Sequence, residues 1–111
     1  MKPKNNMKLW IDDIRKAPDD TWEVAMTNTE AAHKLYMFAT QFDEISIDHD
    51  AGNGETFIPS AMIIGLVRNW LLSIGVVWKP TITIHSQNPD GVPYLQEMFN
   101  EYGMDTTIPK G

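Results

Sequence analysis

Ile45-Ser46-Ile47-Asp48-His49-Asp50 decides how this chain is read: an apolar, strand-like run stops abruptly at an acidic-histidine cluster. Two other runs end in the same way. Met7-Lys8-Leu9-Trp10-Ile11 leads into Asp12-Asp13, and Thr81-Ile82-Thr83-Ile84 leads into His85-Ser86-Gln87-Asn88. Open parallel sheets bind ligands in the crevice outside the carboxyl ends of their strands, where loops and helix N-termini converge. If the three runs are neighbouring parallel strands, their polar ends meet at one edge and form a single site.

The segments between them supply the rest of a strand-helix alternation. Trp22–Met26 reads as a second strand near an edge, and Glu44–Ile47 as the third. Thr27 and Glu30 have the spacing of a capping box, followed by Ala31, Leu35, Phe38 and Phe42 on one helical face. Ile58–Ile74 falls short of a membrane span and reads as a buried helix opened by Pro59 and stopped by Gly75. Its expected apolar face comprises Ala61, Ile64, Leu66, Val67, Trp70, Leu71 and Ile74. The β-branched run Thr81–Ile84 is the fourth strand. Asp90 is the expected cap of a last helix carrying Leu95, Met98, Phe99 and Tyr102, with Gly103 ending it and a short edge strand within Met104–Ile108. This order predicts a mainly parallel α/β sheet of four or five strands with right-handed crossovers.

At 111 residues the chain is read as one domain, residues 1–111, with a flexible lead over 1–6 and a tail within 104–111. The formal charge of −6 argues against sequence-independent binding to a DNA or RNA backbone, which needs clustered Lys and Arg. A local pocket can still accept a small anion. Met1–Lys8 lacks the apolar stretch of an export signal, so a cytoplasmic, non-membrane protein is expected. The absence of cysteine excludes disulfides and thiolate metal sites.

Taken together, Leu9-Trp10-Ile11-Asp12-Asp13-Ile14-Arg15 with Ala17-Pro18, Ile45-Ser46-Ile47-Asp48-His49-Asp50, and Ile84-His85-Ser86-Gln87-Asn88-Pro89 with Gly91 resemble the receiver-like family proposed to process cyclic phosphates. The resemblance implies a three-layer flavodoxin-like fold and an activity on the cyclic phosphate of a nucleotide or an RNA end. Members of that family often carry a Thr-Gly after the Asp-His-Asp segment and a basic residue after the Asn-Pro-x-Gly turn. Here Glu55-Thr56-Phe57 and Val92 stand in those regions. The strand-five lysine of a signalling receiver is also missing, Lys110 lying behind Pro109.

Opening a cyclic phosphate with water takes a base for the nucleophile, an acid for the leaving oxygen and donors for the phosphoryl oxygens. His49 and His85 are the candidates for base and acid, since imidazole titrates nearest neutrality, with Asp48 or Asp50 orienting His49. Arg15 offers a planar cationic fork, and Ser86 and Asn88 offer neutral donors. Asp12, Asp13 and Asp48 are candidate ligands for Mg²⁺ or Mn²⁺, the alternative being a transition metal on the two histidines.

Blander readings compete with each of these. Aspartates at a strand end also build turns and caps, His85 also suits a core, Arg15 also suits a surface pair with Asp19 or Asp20, and Ser86 with Asn88 also suits the turn before Pro89. At the level of the whole chain, a non-catalytic module binding a phosphorylated small molecule or a protein, and a degenerate receiver phosphorylated on Asp48, are the alternatives.

Overall fold

The computed structural model describes residues 7–109. The lead 1–6 and Lys110, about which the sequence raised expectations, lie outside them. Five strands form one sheet: β1 (Met7–Ile11), β2 (Trp22–Ala25), β3 (Phe42–Ile47), β4 (Thr81–Ile84) and β5 (Thr106–Thr107). Their order is β2-β1-β3-β4-β5 and every pairing is parallel. This is the flavodoxin-like order, in which the crevice opens where β1 and β3 diverge in connection.

Three helices connect the strands: α1 (Asn28–Phe38), α2 (Ile58–Ser73) and α3 (Gly91–Glu101). The crossovers β2 to β3, β3 to β4 and β4 to β5 all step the same way across the sheet, so connections of one hand place all three helices on one face. Burial agrees. Leu9, Ile11, Ile45, Ile47, Ile82 and Ile84 are fully buried beneath Leu35, Ile64 and Phe99, whereas the alternate residues Val24, Glu44, Thr81 and Thr83 keep solvent contact.

The expected flavodoxin-like α/β domain is present, and among the described residues its three helices lie on one face of the sheet. Ten residues, Asp12–Thr21, link β1 to β2 without a helix, and this bare connection crosses the second face. There the Trp10 indole N–H donates to the Arg15 carbonyl at 2.9 Å.

Other local expectations change for identifiable reasons. Phe42 opens β3 rather than closing the first helix, because α1 ends at Phe38 and a single 3₁₀ turn, Ala39–Gln41, carries the chain to the sheet. The second strand stops at Ala25, one residue short of Met26, whose N–H is taken by the Glu30 carboxylate. Thr27 does cap α1, accepting from the Glu30 N–H. Asp90 caps nothing with its side chain. Asn88 does that work, its Oδ1 accepting from the N–H groups of Asp90 and Gly91 at 2.9 Å. On α2, Ala61, Ile64, Val67 and Leu71 are buried, but Leu66, Trp70 and Ile74 face outward.

No helix among the described residues is long and apolar enough to cross a membrane. The one-sided core has a direct consequence for stability. Ile45→Ala is expected to lower the unfolding free energy by about 2–5 kcal/mol, the usual range for truncating a buried Ile. Glu44→Ala, on the open face one residue earlier, is expected to change it by less than about 0.5 kcal/mol. Urea denaturation of both variants checks the contrast.

Candidate functional site

Pairing continues one residue past the strand ends. The Asp12 N–H donates to the Ala25 carbonyl at 3.1 Å, Asp48 to Ile11 at 3.0 Å and His85 to Ile47 at 3.0 Å. Asp12, Asp48 and His85 are thus fixed at one level of the sheet's carboxyl edge. Side chains alternate along a strand. After the helix-facing Ile11, Ile47 and Ile84, these three residues turn toward the open face, and His49 turns back toward the helices.

The two histidines consequently have different surroundings. The His85 ring stacks on Trp10, with centroids 3.9 Å apart and planes 8° from parallel. Its Nε2 bonds Asp12 Oδ2 at 3.0 Å and its Nδ1 bonds Ser46 Oγ at 2.7 Å. An ionised carboxylate only accepts, so Nε2 carries the proton; a neutral ring then accepts at Nδ1 from the Ser46 hydroxyl. Burial holds this imidazole below its ordinary pKa range and outweighs the opposite pull of Asp12. With both nitrogens engaged, His85 acts through its backbone: its carbonyl accepts from the Arg15 guanidinium.

His49 lies against α3 instead. A Cβ at position 91 would stand 2.5 Å from its ring, so only glycine lets the imidazole rest on that first turn. Tyr94 meets the ring edge-on, with centroids 6.4 Å apart. His49 Nδ1 bonds Asp50 Oδ1 at 2.8 Å, and Asp50 Oδ2 accepts from Asn88 Nδ2 at 2.9 Å. Hydrogen bonds from Asn88 and then from His49 hold the Asp50 carboxyl below the usual carboxylate range. His49 Nε2 bonds no described residue.

Between the first and third motifs lies a cavity of about 390 Å³ lined by Arg15, Asp48, Asp50, Ser86 and Asn88, with Ile14, Ala51, Gly52 and Gln87 completing it. Five of the predicted site residues meet here. His49 stands one hydrogen bond behind it through Asp50, and the two imidazoles share no partner. Asp13 is not part of the lining; both of its carboxylate oxygens accept from the N–H of Gly52 in the cavity wall. That bond ties the Gly52–Gly54 segment down as a connector.

Among the described residues no three acidic or histidine side chains converge to hold a metal ion. Asp12 spends its oxygens on the Ile14 N–H and on His85, and Asp48 accepts from the His49 N–H. The sequence reading quoted Trp10, Ser46 and Gly91 in its motifs but gave them no role at the site. Period-two alternation could have found the first two, since it puts Trp10 on the side of Asp12 and Ser46 on the side of Asp48. For Gly91 the signal was the Asn-Pro-x-Gly turn of the family resemblance, which does not name the partner, since its contact is with a residue 42 positions earlier.

Comparison with known proteins adds to this geometry. Residues 7–101 match the family model described as the cyclic-phosphate processing receiver domain. No curated protein matches the sequence. Among solved structures, a yeast Spc42 trimeric coiled-coil segment, amino acids 181–211, fused to another protein is similar at a TM-score of 0.49 and 15% identity, over 97% of this chain and 70% of that one. A likeness at that level carries no argument.

The neutral, buried His85 sets a pH dependence. Its pKa is lower in the folded chain than in the unfolded one, so in the interval between the two values the unfolded chain binds more protons. The associated stability is complete above about 6.5 and is lost as pH falls through that value toward the folded one. Urea midpoints measured from pH 7 to pH 5 are expected to decline, and His85→Gln is expected to flatten the decline.

Proposed function

The chain belongs to the family of cyclic-phosphate processing receiver domains, and on that premise we propose that its strand-end cavity takes the phosphate of a cyclic ester of a nucleotide or RNA end and opens it with water. The observation that carries this reading is the meeting of Arg15, Ser86 and Asn88 with Asp48 and Asp50 around one cavity. Arg15 gives one N–H to the His85 carbonyl and keeps others for phosphoryl oxygens. The Ser86 oxygen accepts from the Asn88 N–H, leaving its own proton to donate.

The Asp50–His49 pair is the proton acceptor in this scheme, with Asp50 at the cavity and His49 behind it. Asp50 takes the His49 Nδ1–H, which leaves Nε2 as the basic nitrogen. As water adds to phosphorus its proton passes to the Asp50 carboxylate, which the His49 Nδ1–H supports; the ester P–O bond breaks, and the leaving oxygen takes a proton from solvent on the exposed side. His85 positions Arg15 and moves no proton.

Electrostatics favours substrate over product. One guanidinium faces two carboxylates, an environment that tolerates the single negative charge of a cyclic diester better than the charge of about −1.5 to −2 on the opened monoester at pH 7. Product is therefore released rather than held.

The position of His49 behind Asp50 favours, as the second reading, a module that binds cyclic phosphates without turning them over. Incubation with a panel of cyclic nucleotides, followed by phosphorus NMR, separates the two. Turnover is expected at neutral pH; His49→Ala is expected to lower kcat by about 10²–10⁴-fold. Arg15→Ala, which loses a charge-assisted bond of about 1.5–3 kcal/mol, is expected to weaken binding by about ten- to a hundredfold. Saturable binding without product supports the second reading, and absence of binding removes both.

A further inference from the structure

On the helix layer, far from the strand ends, α2 shows an apolar stripe that no other described residue covers. Met62, Leu66 and Trp70 follow one another at intervals of four, so they lie along one side of the helix, and exposed Ile74 stands just past its end. Leu66 is 54% exposed and Trp70 61% exposed. Tyr36, at 73%, and Met37 extend the patch onto α1. Between the two helices runs a groove of about 530 Å³ whose walls include Leu35, Tyr36, Leu66 and Trp70 and contain no charged side chain.

We infer that this face is the contact between two copies of the chain. Area is the first argument. At roughly 200 Å² for a fully exposed large side chain, the six exposed residues present roughly 700 Å² per copy. A standard interface takes about 800 Å² from each partner, which a polar rim would complete.

Charge and shape point to a second copy rather than another protein. Two chains of net charge −6 repel wherever their carboxylates meet, and this patch is free of them. The one ionisable residue of α2, Arg68, is turned away and bonds the Tyr102 carbonyl at 3.0 Å. The same face holds both a projecting indole and a groove, which is what a two-fold contact requires of a single surface: the Trp70 of each copy enters the groove of the other.

Size-exclusion chromatography with light scattering tests this. At roughly 100 µM, above the micromolar to picomolar range spanned by interfaces of this size, the native chain is expected to show twice the mass of one chain. Leu66→Glu and Trp70→Glu are each expected to halve it without changing the circular dichroism, since both side chains are already in solvent. The chain has no cysteine, so Leu66→Cys adds a lone thiol, expected to be joined to its copy by a short bismaleimide, whereas Asp19→Cys on the opposite side is not. A single-chain mass at every concentration overturns the inference and leaves the face to a different protein. Doubling that survives both glutamates, or cross-linking at position 19 instead of 66, also overturns it.

Discussion

The parallel ladder across β1, β3 and β4 is the constraint from which the site follows. Its last hydrogen bonds, Asp48 to Ile11 and His85 to Ile47, together with the bond from Asp12 to Ala25 of β2, lie beyond the regular strands and fix two carboxylates and an imidazole at one level. Because the side-chain period is two, a slip of one residue in any of these strands would exchange its core and solvent faces, sending Ile45 and Ile47 outward. The core thus specifies the register, and the register places the polar groups.

The same alternation divides those groups into two sets of neighbours. Residues facing the open side, Trp10, Asp12, Ser46 and His85, form a stacked and hydrogen-bonded block that is dry enough to keep the imidazole neutral. This block reaches the cavity through Arg15, whose carbonyl is held by Trp10 and whose guanidinium is held by the His85 carbonyl. Residues on the helix side, His49 with Asp50 and Asn88, form a second chain that reaches the cavity through a carboxylate. In the proposed reaction, support for the anion and handling of the proton therefore fall to separate networks.

Much of this was readable in the sequence because it depends on local periodicity. The strands, the three helices and the convergence of Arg15, Asp48, Asp50, Ser86 and Asn88 follow from runs and their order along the chain. The pairing of His49 with His85 did not follow, because each ring's direction depends on which strand residue precedes it: His85 comes one position after a helix-facing isoleucine, and His49 two. The placement of the helices on one face was hidden for a different reason. A ten-residue link between parallel strands has no pattern that announces the absence of a helix. The apolar face of α2 was read as one broad surface, and only the packing of α1 and α3 separates buried Ile64 and Leu71 from exposed Leu66 and Trp70.

The central claim is that the carboxyl edge of the sheet receives a phosphate ester. The most direct measurement is a titration of isotope-labelled protein with a cyclic nucleotide, followed through its backbone amide resonances. The shifts expected are those of Arg15, of the segment from Asp48 to Gly52 and of Ser86 to Asn88, moving together along one saturation curve. Shifts confined to α1 and α2, or none at a large excess of nucleotide, would contradict the account.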